Sequence, residues 1–190
     1  AKLGRGDKKK FTGAIRHVSQ YGVPTHDPRL TVEKYLGNAL KELGRHELAA
    51  ASYRQSLALR GTSAEAHRAL GNCLVDLGRL DESLGHFHAA LRIRPAYSQA
   101  HNSLGNALRQ LGRYPAAAEH LRTAVALSPH DADAHNNLGI THKALGQLEP
   151  AVASLRQALA IRPDFAKAHS NLLFCLSHDE SITPEALFAE

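Results

Sequence analysis

At 190 residues the chain is long enough for one ordinary domain, yet aromatics make up only 5% of it and Trp and Met are absent, so Ala and Leu must carry the packing. No apolar run approaches the ~20 residues a membrane-spanning helix needs. The formal charge of +5 comes from residues 1–29, with seven Lys or Arg against two Asp; the rest balances sixteen basic against sixteen acidic residues, which argues against a nucleic-acid-binding face on the folded body.

Residues 1–29 form a basic leader without the uninterrupted apolar stretch of a signal peptide. Phe11, Ile15, Val18 and Tyr21 are spaced four, three and three apart, which suits a short capping helix on one face. The other reading is a solvated, disordered leader.

From residue 30 the chain repeats. Leu-Gly recurs at Leu36-Gly37, Leu70-Gly71, Leu104-Gly105 and Leu138-Gly139, each step being 34 residues. A second ladder runs seven residues on, at Leu43-Gly44, Leu77-Gly78, Leu111-Gly112 and Leu145-Gly146. Pro95, Pro129 and Pro163 keep the same step. With Leu36 as position 7, positions 4, 7, 8 and 11 have the spacing of one helix face. Position 20 is Ala49, Ser83, Ala117 and Ala151; position 24 is Tyr53, Phe87, Leu121 and Leu155; position 27 is Ser56, Ala90, Ala124 and Ala158. Small residues at 8, 20 and 27 let two helices approach closely. The second Gly predicts a left-handed cap that ends helix A, and the Pro ends helix B. The pattern predicts helices at 31–43, 47–60, 64–77, 81–94, 98–111, 115–128, 132–145, 149–162 and 166–177.

This period and pattern resemble the tetratricopeptide family. The resemblance implies an all-α fold, a right-handed superhelical solenoid of tetratricopeptide helix-turn-helix repeats, in which each hairpin buries its apolar face on the next. The expected organisation is four repeats over 30–165 (30–63, 64–97, 98–131 and 132–165), a capping helix over 166–178 and the start of a truncated following region over 179–190. In that last part Thr183-Pro184-Glu185 reads as a helix start.

No catalytic constellation, cofactor motif or metal-ligand pattern is present. His67, His101, His135 and His169 all fall at position 4, where one repeat of separation is too far to share an ion, so packing is the expected role. His86 and His88 do not face each other on a helix. Cys73 and Cys175 lie three repeats apart, too far for a disulfide; they are expected as buried thiols, in keeping with a cytoplasmic protein. Asp131 and Asp133 sit at a helix start, where capping explains them.

Function is therefore expected on helix A, off the buried stripe. Position 9 supplies Asn38, Asn72 and Asn106; position 5 supplies Lys34, Arg68, Asn102 and Asn136; position 6 supplies Asn137 and Asn171; position 12 supplies Arg109 and Lys143. An Asn amide offers donors and an acceptor, so a row of them can grip a peptide backbone whatever its side chains. The same residues could instead be solvated or satisfy local backbone. A protein or extended peptide is the expected partner, with homodimer formation by repeat stacking open. The charged clamp by which some family members hold acidic C-terminal tails is not matched: Lys34 and Asn38 fit its first half, Ala69, Gln99 and Ser103 fail the rest.

The stretch Asp164-Phe165-Ala166-Lys167-Ala168-His169-Ser170-Asn171-Leu172-Leu173-Phe174, followed by residues 183–190, resembles a further junction. It is similar to the place where the repeats of bacterial O-linked N-acetylglucosamine transferase-like (SPINDLY-type) proteins meet their glycosyltransferase domain. That resemblance implies a region that presents acceptors to an enzyme whose catalytic residues lie outside this sequence. Only Asn137 and Asn171 match the family's position-6 asparagine ladder. The alternative is a free-standing adaptor that scaffolds a multiprotein assembly.

Overall fold

Alternating runs of Ala- and Leu-rich helix and Gly or Pro breakers build a chain of helical hairpins. The computed structural model describes residues 36–59 and 62–177. Lys34, the leader residues Phe11, Ile15, Val18 and Tyr21, and the Thr183-Pro184-Glu185 helix start lie outside the described residues. In order the helices are α1 (36–42), α2 (His46–Leu59), α3 (Ala64–Asp76), α4 (Leu80–Ile93), α5 (Ser98–Gln110), α6 (Tyr114–Leu127), α7 (Ala132–Ala144), α8 (Leu148–Ile161) and α9 (Ala166–Ser177). There is no strand among the described residues, and the fold is an all-α helical repeat. From α2 onward each bound falls within one residue of its predicted place.

The A helices end as the glycine ladder requires. Gly44, Gly78, Gly112 and Gly146 have φ of 69°, 74°, 72° and 72°, a region open to glycine at little cost. At each, two backbone bonds close the helix end: at the first, Gly44 N–H donates to Lys41 O and Arg45 N–H to Leu40 O, both at 2.9 Å. Helix starts are capped less uniformly. Ser63 Oγ accepts from Ala66 N–H, and Asp131 Oδ1 accepts from the N–H groups of Asp133 and Ala134. Asp131 thus caps as expected, whereas Asp133 pairs with Arg162 at 2.8 Å.

Two compact units make up the chain, Ala1–Pro95 and Ala96–Glu190. In the first, Leu40, Ala49, Ala50, Tyr53, Leu70, Cys73 and Leu74 form one buried cluster. Its hairpins close on a glycine: a Cβ on Gly37 would lie 2.7 Å from Tyr53, and one on Gly71 2.5 Å from Phe87. In the second unit a Cβ on Gly105 would meet Leu121 at 2.6 Å and one on Gly139 would meet Leu155 at 2.7 Å. There α8 packs on α9 through Ala151, Leu155, Ala158, Ala168, Leu172 and Cys175. Both cysteines are free and buried. An arginine after helix B also reaches back to an acid in the first turn of its own hairpin, Arg94 to Glu65 and Arg162 to Asp133. These pairs are exposed, so each adds little stability.

Candidate functional site

Helix A carries its apolar stripe inward and thereby turns positions 5, 6, 9 and 12 toward its other side. In the first unit Asn38 is exposed, and its Oδ1 accepts from the Tyr53 hydroxyl at 2.5 Å. This Asn therefore moors α1 to α2. Arg68 and Asn72 are half-buried on α3.

The second unit brings more of the predicted residues together. Helix α7 contacts both α5 and α9, so residues of three successive A helices meet. Asn137 Nδ2 donates to Asn102 Oδ1 at 2.9 Å, Arg109 donates to Asn106 Oδ1 at 2.7 Å, and Lys143 Nζ donates to Asn171 Oδ1 at 2.9 Å while standing 4.5 Å from the Phe174 ring centre. Asn171 Nδ2 in turn donates to Lys167 O of its own helix at 2.8 Å.

One residue departs from expectation. The helix pattern puts position 5 off the buried stripe, yet Asn136 is 5% exposed. The reason is its helix: α7 has A-helix neighbours on two sides, and position 5 is covered between them. Its Oδ1 has no hydrogen-bond partner, and neither does the buried Nε of Arg109. Burial pushes the Arg109 guanidinium below its ordinary value.

Two histidine pairs join the helices of a hairpin, where the pattern along one helix does not reach. His67 Nδ1 faces His86 Nδ1 at 3.1 Å, and His101 Nδ1 faces His120 Nδ1 at 3.1 Å. The ring centres stand 5.4 and 5.3 Å apart, so the nitrogens meet head-on instead of converging on a third point. That is an N–H···N hydrogen bond between opposite tautomers. No group of three or more metal-ligating side chains occurs among the described residues. The signal lay at position 23: His86 and His120 stand there, and Ser154 in the next repeat. His135, with Ser154 at that position of its repeat, points Nε2 at Pro129 O at 3.0 Å, and His169 points Nε2 at Pro163 O at 2.8 Å. His169 is exposed, against the packing role expected of position 4.

The His67–His86 pair makes stability pH-dependent. Burial and then the charge of His67 hold His86 below its ordinary 6.5. The unfolded chain therefore takes up this proton first as pH falls. The stability is complete above about pH 7 and is lost through and below the ordinary histidine range. The urea midpoint is expected to drop between about pH 7.5 and about pH 5.5, and to drop less in His86→Gln. Equal drops in both proteins would show that the pair does not titrate this way.

Comparison with known proteins gives one fold. Residues 36–98 and 132–165 match family models described as tetratricopeptide repeat, and residues 105–146 match one described as TPR repeat. MamA (residue 41 to the end) from Desulfovibrio magneticus RS-1 superimposes with a TM-score of 0.72 at 23% identity, over 80% of this chain and 86% of that one. YrrB, described as a TPR protein with an unusual peptide-binding site, gives 0.66 at 20% identity over 87% and 82%. The first TPR of Spaghetti (RPAP3), bound to the HSP90 peptide SRMEEVD, gives 0.59 at 22% identity over 60% and 90%. No curated protein matches the sequence. The 34-residue period, the glycine-closed hairpins and the matched repeats agree: the chain belongs to the tetratricopeptide-repeat family.

Proposed function

We propose that this chain is a protein–protein interaction scaffold that holds an extended peptide segment against the A helices of its second unit. The Asn102–Asn137 bond carries this reading. It spans two successive A helices and leaves Asn102 Nδ2 and Asn137 Oδ1 to meet a peptide C=O and N–H. Pairs of this kind recognise backbone and so tolerate many sequences. The peptide-binding site named for YrrB and the peptide bound to RPAP3 support the general mode. Asn102→Ala with Asn137→Ala is expected to weaken binding of unrelated extended peptides by about tenfold, since each lost hydrogen bond contributes about 0.5–1.5 kcal/mol. Fluorescence anisotropy measures it; unchanged affinity would place the site elsewhere.

The finer reading is that the scaffold is the acceptor-recognition region of a glycosyltransferase-like protein. It rests on the resemblance of residues 164–174 and 183–190 to the SPINDLY-type junction. A parent gene continuing into a nucleotide-sugar-binding domain would support it, and a stop codon after residue 190 would leave the free-standing adaptor. The two free thiols favour a cytoplasmic setting. Stacking of two copies through their end repeats is the dimer mode to test.

A further inference from the structure

We infer that the partner of the second unit is acidic: an extended peptide with two carboxylate side chains three residues apart, one received by Arg109 and the other by Lys143. The inference rests on the peptide-binding reading above and adds the chemistry of the ligand.

Charges withdrawn from water are normally paired. Arg109 and Lys143 are both half-buried. Neither meets a carboxylate among the described residues; the groups they touch are Asn106 for Arg109, and Asn171 and the Phe174 ring for Lys143. Elsewhere, cations of comparable or greater exposure do find acids: Arg54 meets Glu82, Arg162 meets Asp133 and Lys41 meets Asp76. Other unpaired cations, such as Arg122 and Lys167, are exposed and left to water. The last turn of each A helix offers Arg109 and Lys143 roughly half a negative charge, which explains why they are tolerated there but completes neither. The buried, unpartnered Nε of Arg109 is an independent sign that this face is unfinished.

The two cations hold the same position on adjacent A helices, hence about 10 Å apart. A peptide in the extended polyproline II form rises about 3.1 Å per residue with three residues per turn, so carboxylates at i and i+3 lie on one side and roughly 9 Å apart, matching that separation. The position-12 cations are also separate from the clamp residues that fail in this sequence.

The test compares labelled peptides of about twelve residues, long enough to span the unit extended. One carries Glu at i and i+3, a second Gln at both, and a third Glu at i and i+1. The i, i+3 Glu peptide is expected to bind about tenfold more tightly than the Gln peptide, through charge-assisted hydrogen bonds, and more tightly than the i, i+1 peptide. Arg109→Gln plus Lys143→Gln should abolish that preference, bringing the Glu peptide down to the affinity of the Gln peptide. Lys143→Glu, which reverses the charge at that helix end, should weaken the Glu peptide most. Equal affinity for Glu and Gln peptides overturns the acidic partner while the groove stands. No binding of any peptide removes both readings. Equal affinity for the two Glu spacings overturns the register, and a single-stranded oligonucleotide displacing the Glu peptide would make the ligand a phosphate backbone and overturn the carboxylate.

Discussion

Phe87→Ala is expected to cost about 3–5 kcal/mol, the range for truncating a fully buried aromatic. Phe87 has no exposed surface, and its ring occupies the place where a side chain on Gly71 would otherwise stand. Removing the ring forfeits its transfer free energy and opens a void between α3 and α4 that two helices joined by a short turn cannot fully close. The partner substitution gives the mechanism its signature. Gly71→Ala alone should cost about 1–3 kcal/mol through overpacking, because its Cβ would lie 2.5 Å from Phe87 Cε1. In the Phe87→Ala background the same methyl enters empty space and should be neutral or stabilising, so the two effects are strongly non-additive. Urea denaturation of the four proteins measures the cycle; additive effects would mean that ring and glycine do not share this contact.

Gly105→Ala and Gly85→Ala should move stability in opposite directions although both exchange glycine for alanine inside a helix. A Cβ on Gly105 would lie 2.6 Å from Leu121 Cγ and 3.2 Å from Ala117 O. The first atom is a branch point and the second is backbone, so neither can step aside cheaply, and a loss of about 1–3 kcal/mol is expected. Gly85 is exposed in α4, with nothing within 4 Å of a Cβ placed there. Alanine there should recover the helix-propensity difference, a gain of up to about 1 kcal/mol. Thermal melts would show both signs; a stabilised Gly105→Ala would refute the close approach of α5 and α6.

The same contrast explains what could be read from the sequence. Gly105 and Leu121 are legible because a repeat multiplies each constraint: a glycine recurring every 34 residues, with bulk sixteen residues later, announces a close helix pair. Helix ends were legible for the same reason, since glycine at positive φ and proline have few other uses. The face of helix A was less legible. Asn102 and Asn136 share one repeat position, yet Asn102 bonds Asn137 while Asn136 is buried with an unsatisfied oxygen. That difference arises from packing between repeats, which a one-helix pattern does not contain. The histidine pairs fall between these cases. Their step from position 4 to position 23 was present twice, but it joins two helices of a hairpin and escapes a search along one.

The Gly–bulk contacts and the Arg94–Glu65 and Arg162–Asp133 ties each have both partners inside a single 34-residue period. A gene segment encoding one period therefore carries its own complementary parts. Duplication or loss of a whole segment copies or deletes these contacts intact, whereas a frame-preserving insertion of one or two codons within a hairpin separates the partners. Lineages of such a chain should thus differ in length by whole periods.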